Sequence, residues 1–335
     1  MDWQRVASLG SSVLNGQELS RQEAMELSGA SGEALWELIH QAGRIRRRHF
    51  GDQVALCAIA SLSLGGCSED CKWCGQSSRY ATSVSPRRAS ADEMVTAARG
   101  AYEAGVSCFC MVSSGRRPSP ADVQLLTEVN EALKAQGLPP ACASLGELDA
   151  ASAASLSQRS VGRYNHNLET SPAHFAELVG THTWADRQAT LQQARQAGLE
   201  LCSGGIFGTG ESWADRVELA MALRETKPDV APLNFLMPRP GTPLGAVAPL
   251  SPMEGLHIIA LYRLILPQTD LKMAGGRTTT LRQLQPLMFQ AGITSLMIGD
   301  YLTAGGVKIQ DDLQMIADLG LTVVRRQCHQ KEVRS

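Results

Sequence analysis

The sequence lacks a long apolar run, a strong net charge and a signal-like beginning. No stretch approaches the ~20 consecutive apolar residues of a membrane-spanning helix, so we expect no membrane insertion. Basic and acidic residues nearly balance, with a formal net charge of −2 and no basic stripe, which argues against a nucleic-acid partner. The first residues, Met1-Asp2-Trp3-Gln4, are polar and acidic without an apolar core, which predicts a cytoplasmic protein.

The sequence also lacks a linker rich in Pro, Gly or Ser that would divide it into separate folding units. We therefore predict a helical N-terminal extension over residues 1–50, one domain over 51–325 and a polar tail over 326–335. In the extension, Ser20 and Glu23 have the spacing of a capping box. Its basic run, Arg46-Arg47-Arg48, is typical of a solvated helix face.

From residue 54 onward, a short apolar stretch followed by a segment of helical periodicity repeats along the chain. The predicted strands are 54–64, 107–113, 140–145, 162–168, 199–207, 231–237, 270–275 and 295–299. The predicted helices lie near 90–104, 120–136, 147–158, 183–197, 212–225, 251–266, 279–290 and 310–318. Such units in series favour an α/β fold, a closed parallel (β/α)8 TIM barrel, over a doubly wound open sheet. Barrels of this kind carry their chemistry at the C-terminal ends of the strands.

Nine cysteines in a chain without an export signal favour metal or redox use over disulfides. Cys67, Cys71 and Cys74 have the spacing C-x3-C-x2-C in the loop after the first predicted strand. Zinc sites and ordinary ferredoxin clusters mostly use four protein ligands, and the sequence has no second C-x2-C pair. The three thiols therefore predict a [4Fe–4S] cluster with one iron open to a small molecule. The alternatives are a structural zinc loop and three unrelated thiols.

Four further cysteines fall on four different predicted strands. They are Cys57, Cys110, Cys142 and Cys202. A single buried cysteine is usually inert, but several thiols facing one lumen predict a second iron–sulfur cluster. Cys108 shares a strand face with Cys110, so it is either a spare thiol or a competing ligand. Arg277 follows the seventh predicted strand, and a buried guanidinium requires acceptors or an anion such as a cluster.

The triple-cysteine loop, with the aromatic Trp73 before its last cysteine, resembles the signature of the radical S-adenosylmethionine (SAM) enzymes. From about residue 35 to 325 the chain is similar to the biotin synthase family of that superfamily. The segments that carry this resemblance are CSEDCKWCGQSSRY (67–80), CMVSSG (110–115), CASLG (142–146), YNHNLETSP (164–172), CSGGI (202–206), NF (234–235), GTPL (241–244) and AGGR (274–277). The first motif marks the superfamily, whereas the Asn-His-Asn segment together with the dispersed cysteines is specific to the family.

The resemblance implies a role for each matching residue. The ligands of the [4Fe–4S] cluster that cleaves SAM would be Cys67, Cys71 and Cys74. The residues in contact with SAM would be Trp73, Asn167, Glu169 and Arg187, of which Asn167 and Glu169 also match positions near the substrate ring. The substrate-binding residues would be Asn165, Asn234 and Thr303. The ligands of an auxiliary [2Fe–2S] cluster would be Cys110, Cys142, Cys202 and Arg277.

The chain departs from the family pattern at several positions. Cys57 could complete a four-thiolate set that suits a [4Fe–4S]-type cluster, and Arg277 would then be a neighbour of the cluster rather than a ligand. Ala304 stands where relatives can have a second threonine near the substrate carboxylate, which weakens that expectation for Thr303. We interpret His166 as a packed histidine that faces away from the pocket and Cys328 as uninvolved.

The resemblance implies an enzyme that converts dethiobiotin to biotin. A SAM-derived adenosyl radical would remove hydrogen from an unactivated carbon, and the auxiliary cluster would donate the sulfur. It further implies a flavodoxin or ferredoxin reductant, a sulfur source that repairs the cluster, and a homodimer. The alternatives are another radical SAM barrel enzyme, of the hydrogenase-maturation or methylornithine type, and a non-catalytic iron–sulfur protein.

Overall fold

A closed barrel of parallel strands forms the centre of the molecule. The computed structural model describes residues 1–303 and 305–325. Its strands are β1 (Gln53–Leu64), β2 (Arg87–Arg88), β3 (Cys108–Ser113), β4 (Cys142–Ser144), β5 (Arg163–Asn165), β6 (Glu200–Cys202), β7 (Gly205–Phe207), β8 (Val230–Phe235), β9 (Asp270–Met273), β10 (Ser295–Met297) and β11 (Thr322–Val324). Around the barrel the order is β1, β3, β4, β5, β6, β8, β9 and β10, and β10 pairs with β1 to close the ring. The predicted (β/α)8 barrel is confirmed.

Three short strands modify this ring. β7 follows β6 after a break at Gly204 and also pairs with β8. A side chain is excluded at Gly204, because a Cβ atom there would lie 1.9 Å from the carbonyl oxygen of Pro232. β2 runs antiparallel to the end of β1, and β11 lies parallel beside its beginning.

Helices follow the strands and cover the outside of the barrel. They are α1 (Trp3–Leu14), α2 (Arg21–Leu27), α3 (Glu33–Phe50), α4 (Ala91–Glu103), α5 (Pro120–Ala135), α6 (Ala150–Gln158), α7 (Pro172–Leu178), α8 (Trp184–Gln196), α9 (Trp213–Thr226), α10 (Pro252–Ile265), α11 (Arg277–Leu281), α12 (Leu287–Gln290) and α13 (Ile309–Asp318). The helix predicted near 279–290 is interrupted instead, because Arg282 has a φ of 50° and Pro286 cannot donate a helical hydrogen bond. None of the described helices is long and apolar enough to cross a membrane.

The N-terminal residues form three helices that pack on the barrel. The capping box is confirmed: the Ser20 hydroxyl accepts from the N–H of Glu23, whose carboxylate accepts from the N–H of Ser20. α3 lies against α1 and α10. The solvated interpretation of the basic run is wrong for Arg46, which is buried and donates to the carbonyl groups of Ile293, Gly51 and Gln53. The predictions for Ala304, Cys328 and residues 326–335 lie outside the described residues.

Candidate active site

The three-cysteine loop leaves the end of β1 through two glycines. Gly65 and Gly66 have φ angles of 70° and 65°, a region that residues without a side chain enter freely. Further along, Cys67 forms a β-bridge across the loop, and the N–H of Cys74 donates to the carbonyl of Cys71 at 2.9 Å. All three predicted ligands of the [4Fe–4S] cluster are therefore presented from one compact loop at the C-terminal end of a barrel strand.

Two acidic side chains fasten this loop to the segment between α7 and α8. The Asp70 carboxylate accepts from the N–H groups of Gly180 at 2.9 Å and Thr181 at 3.1 Å. Glu69 lies 2.7 Å from Nδ1 of His182. Burial alone raises the pKa of Asp70, but the hydrogen bonds from Gly180 and Thr181 outweigh it, and the pKa falls below its ordinary value. Asp70 is therefore held ionised as a structural acceptor.

A cavity of 250 Å³ opens beside the three thiols, and we call it the upper cavity. The predicted residues among its lining are Cys67, Cys71, Cys74, Trp73, Asn165, Asn167, Glu169 and Arg187. The structure thus brings the cysteine loop together with the end of β5 and with α8. Their contact with SAM stays a prediction.

Arg187 is the central cation of the upper cavity. One of its terminal nitrogens donates to the carbonyl of Asn167 at 2.7 Å, and the other lies 3.8 Å from the carboxylate of Glu169. Its buried Nε has no hydrogen-bond partner among the described residues. Burial raises the pKa of Glu169 more than Arg187 lowers it. The backbone of Glu169 adopts a φ of 70°, which is rare outside glycine. A ligand carboxylate would satisfy the open donor on Arg187.

His166 differs from its predicted orientation. It lines the upper cavity, with Nε2 3.5 Å from Arg187, rather than facing away from it. β5 ends at Asn165, so the strand alternation on which the prediction relied does not extend to the next residue. Burial, with the charge of Arg187, lowers the pKa of His166 well below its ordinary value, which keeps the ring neutral.

A second cavity of 250 Å³, the side cavity, shares a wall with the upper cavity. The shared residues are Trp73, Cys74, Gln76, Asn167 and Glu169. Asn234 and Thr303, predicted to bind substrate, line the side cavity together with Tyr301. The Asn234 amide also accepts from the N–H of Gly275 at 2.9 Å and donates to the carbonyl of Gly205 at 3.1 Å. Part of its hydrogen-bonding capacity therefore fixes the cavity wall.

Arg239 also lines the side cavity, and the sequence interpretation missed it. Its Nη2 atom is buried without a hydrogen-bond partner among the described residues. The available signal was an arginine between two prolines in a loop that follows a barrel strand.

Five cysteines from the barrel strands converge below the upper cavity, and we call them the thiol cluster. They are Cys57, Cys108, Cys110, Cys142 and Cys202. Neighbouring strands place Cys57 beside Cys108 and Cys110 beside Cys142, and the Sγ atoms of Cys108 and Cys142 lie 2.7 Å apart. Asn165 lines the upper cavity and donates to Cys110 Sγ at 2.6 Å, so one side chain touches both regions.

A lysine that was not predicted belongs to this cluster. The Nζ of Lys272, in β9, lies 3.4 Å from Cys202 Sγ and 3.6 Å from Cys57 Sγ. Burial by itself lowers the pKa of Lys272, whereas Cys202 and Cys57, once deprotonated, raise it well above its ordinary value. The signal in the sequence was a lysine between two apolar residues, Leu271 and Met273, inside a predicted strand.

The hydrogen-bond partners of Arg277 lie outside the thiol cluster. Its guanidinium makes two hydrogen bonds to the carboxylate of Asp312, at 2.7 and 2.6 Å, and another to Gln285. Both partners of the ion pair are almost fully buried. The acceptor that a buried guanidinium requires is thus a carboxylate on α13. Lys272 occupies the position beside the thiols that was expected for Arg277.

The donor sets suit iron–sulfur clusters better than a single metal ion. No group of three His, Cys, Asp or Glu side chains in the described part of the chain converges on one metal point. Thiolates that bind different irons of a cluster need not converge in this way. Burial raises the pKa of Cys71, Cys74, Cys110 and Cys202, so these thiols must lose protons when iron binds.

Comparison with known families gives two matches along the chain. Residues 62–223 match the radical SAM superfamily, and residues 232–322 match the biotin and thiamin synthesis associated domain. Among solved structures, methylornithine synthase matches with a TM-score of 0.80 and 21% identity, over 95% of this chain and 97% of its own. The FeFe-hydrogenase maturase HydG from Carboxydothermus hydrogenoformans matches with a TM-score of 0.82 and 18% identity, over 99% of this chain and 82% of its own. These likenesses concern the fold.

Sequence relatives are much closer. The biotin synthase of Trichlorobacter lovleyi is 42% identical over 322 residues, which cover 96% of this chain and 97% of the relative. The biotin synthase of Maridesulfovibrio salexigens is 41% identical over 325 residues, which cover 96% and 99%. The methylornithine synthase and hydrogenase-maturase structures, at 21% and 18% identity, share much less sequence with this chain. The chain belongs to the biotin synthase family of radical SAM enzymes.

Proposed function

We propose that this enzyme inserts sulfur into dethiobiotin to form biotin, with SAM in the upper cavity and a sulfur-donating cluster held by the thiol cluster. When bound, the [4Fe–4S] cluster with SAM supplies the radical that removes hydrogen, and the auxiliary cluster supplies the sulfur. The chain itself contributes ligands, orientation and exclusion of water.

One observation carries this proposal: Asn165 contacts both the upper cavity and the thiol cluster. Its amide nitrogen donates to Cys110, while the residue also lines the cavity of the three-cysteine loop. A substrate held at Asn165 would therefore lie between the two sets of thiols. Its amide offers both a donor and an acceptor, which match the C=O and N–H edges of a cyclic urea.

SAM would be held by the upper cavity. The open donor on Arg187 suits the carboxylate of SAM, and Trp73 in the wall suits the flat adenine ring. Glu169 and Asn167 are hydrogen-bonded to each other at 3.3 Å, which orients both side chains. The polar groups of this cavity are thus positioned before the cofactor binds.

The side cavity would take the valeryl chain and carboxylate of dethiobiotin. The buried, unpartnered Nη2 of Arg239 is the group in its wall that best suits a carboxylate. Thr303 lines the same cavity and offers a hydroxyl. Arg239 would thereby compensate for the missing hydroxyl at Ala304.

We propose that the auxiliary cluster is ligated by thiolates of the thiol cluster, with Cys57 among them, and that Lys272 rather than Arg277 faces it. The Sγ atoms of Cys108 and Cys142 lie 2.7 Å apart, and Lys272 donates to both Cys57 and Cys202, so the site has enough neighbouring thiols for a [4Fe–4S]-type cluster as well as a [2Fe–2S] cluster. A flavodoxin or ferredoxin reductant, a sulfur-delivering repair system, a homodimer and a cytoplasmic location complete the proposal.

Anaerobic reconstitution tests the function. The enzyme with SAM, dithionite and dethiobiotin should yield biotin by mass spectrometry, and Mössbauer spectra should resolve two iron environments. Cys202→Ser should abolish biotin while 5′-deoxyadenosine still forms, whereas Cys74→Ser should abolish both. Biotin formation undiminished in Cys202→Ser would contradict the sulfur-donating role of the thiol cluster.

A further inference from the structure

The N-terminal end of the barrel has its own opening. A cavity of 220 Å³, here called the basal cavity, lies at the beginnings of the barrel strands, on the side opposite the three-cysteine loop. Exposed Gln268 and Asp229 lie on its rim, and Phe50 of α3 forms part of its wall. Its floor consists of Cys57, Cys108 and Lys272.

A small molecule would thus reach the thiol cluster through the basal cavity rather than through the upper cavity. Cys57 and Cys108 are 5% and 6% exposed, whereas Cys142 and Cys202 are 0% and 1% exposed. Cys57 and Cys108 line the basal cavity and are not among the residues that line the upper or side cavity. A small molecule in the basal cavity would therefore meet these two thiols first.

Lys272 supplies the positive charge at the buried floor of the basal cavity, while Asp229 and Asp270 leave negative charge nearer its opening. Arg163 in its wall is neutralised by Glu200 at 2.7 Å. The carboxylates of Asp229 and Asp270 accept hydrogen bonds from the N–H of Leu201 and the hydroxyl of Thr294. Lys272 forms no ion pair with a carboxylate of the described residues and donates to thiol sulfurs instead. A buried ammonium of this kind attracts a soft anion that can replace weak thiol acceptors.

We propose that the basal cavity is the uptake site for hydrosulfide, which reaches the auxiliary cluster past Cys57, Cys108 and Lys272. The inference rests on the proposed sulfur-donating function. Hydrosulfide is larger than water, which needs roughly 30 Å³ in the liquid, but a cavity of 220 Å³ accommodates it. Sulfide is already at the redox level it has in the cluster, so its delivery transfers no electrons and releases one proton.

Access is tested first in the full-length chain without clusters. Methyl methanethiosulfonate should label Cys57 and Cys108 before Cys142 and Cys202, as followed by peptide mass spectrometry. Gln268→Trp should cover the rim and slow the labelling of Cys57 and Cys108 about tenfold, because the reagent then requires a local opening. Gln17→Trp, an exposed position in the turn after α1, is the matched control and should label like the unmodified chain. Equal labelling rates in both variants would overturn the access route.

Uptake is tested in the reconstituted enzyme. A first single turnover from the existing cluster reports on the proposed function, because it needs no added sulfide. Sodium ³⁴S-sulfide and ferrous iron are then supplied, and acid-labile ³⁴S in the protein is measured against time. Gln268→Trp should slow this uptake about tenfold relative to Gln17→Trp, in parallel with the labelling.

The outcomes separate the two claims. Equal ³⁴S uptake in both variants would overturn the basal route even if the first turnover yields biotin. A first turnover without biotin would defeat the proposed function, and the labelling and ³⁴S rates would still decide the route. Uptake from a persulfide-bearing sulfurtransferase but not from sodium sulfide would exclude free hydrosulfide and overturn the inference.

Discussion

Lys272 differs from the buried arginines of this chain in what it contacts. Arg46 and Arg263 donate to backbone carbonyl groups, and Arg277 donates to a carboxylate, whereas Lys272 donates to two thiol sulfurs. An ammonium beside thiols favours their deprotonated form, which is the form that binds iron. Lys272 of strand β9 is therefore the cation that donates to these thiols.

Replacement of Lys272 should remove the auxiliary cluster selectively. In Lys272→Met we expect iron and acid-labile sulfide to fall to the content of one [4Fe–4S] cluster, because a negative cluster would lose its buried counter-charge. Lys272→Arg should retain both clusters. Iron analysis and Mössbauer spectra measure this, and 5′-deoxyadenosine formation should persist in Lys272→Met.

Arg277→Met is the comparison variant for that experiment. It leaves the carboxylate of Asp312 buried without its partner, which should cost about 3–5 kcal/mol of unfolding free energy, while the iron content stays unchanged. A folded Arg277→Met without the auxiliary cluster, beside a Lys272→Met that keeps it, would restore Arg277 as the ligand.

Arg239 should determine the affinity for the substrate carboxylate. In Arg239→Gln the loss of one charged hydrogen bond, about 1.5–3 kcal/mol, should raise the KM for dethiobiotin roughly tenfold or more with little change in kcat. Steady-state kinetics with dethiobiotin and with its methyl ester measure this. The ester lacks the negative charge, so its KM should be the same for the variant and for the unmodified enzyme. An equal increase in KM for dethiobiotin and for its ester would argue against a carboxylate contact.

At the scale of single residues, the sequence indicated chemistry better than geometry. Cysteine spacing and strand position predicted which thiols come together, because both are local properties of the sequence. Arg277 and Lys272 lie five positions apart, and the periodicity of β9 could not tell which cation faces the lumen. The distinction depends on Asp312 of α13, a tertiary contact that no local pattern contains.

At the scale of elements, the strands were predictable and their interruptions were not. Short apolar stretches alternating with helical periodicity predicted the barrel strands. Parallel strands that are buried on both faces consist almost entirely of apolar residues, which makes them easy to find in a sequence. The break between β6 and β7 at Gly204 and the short helix α7 have no strong periodic signal.

The contact between the three-cysteine loop and the segment after α7 should make the site acid-sensitive. The pKa of Asp70 is lowered in the fold, so its stabilisation is present well above the ordinary value of 3.8 and is lost as the pH falls below it. Asp70→Asn should hold iron less tightly at neutral pH and show a flatter acid dependence. Chelator-driven iron release between pH 7 and about 3 measures this, because that range brackets the ordinary carboxyl value; parallel curves for both proteins would contradict it.

At the scale of the whole molecule, the barrel separates three kinds of access. In the proposed scheme, SAM would use the upper cavity, the carboxylate-bearing substrate the side cavity and sulfide the basal cavity. The basal route depends on a rigid end of the barrel, where buried arginines tie helices to the beginnings of strands. Arg263 of α10 donates to the carbonyl of Gly292 at 3.0 and 2.8 Å and lies 4.9 Å from the ring centroid of Phe50.

Arg263→Met should therefore weaken the entire barrel. The guanidinium also bonds the carbonyl groups of Leu266 and Thr269, and an unsatisfied carbonyl costs about 1–3 kcal/mol, so we expect a total loss of about 3 kcal/mol. Urea unfolding measures this, and Arg48→Met, at an exposed position of α3, should change stability by less than about 0.5 kcal/mol. Because Phe50 also lines the basal cavity, Arg263→Met should label Cys57 and Cys108 faster than Arg48→Met does. Equal stability of the two variants would mean that the end of the barrel is held by other contacts.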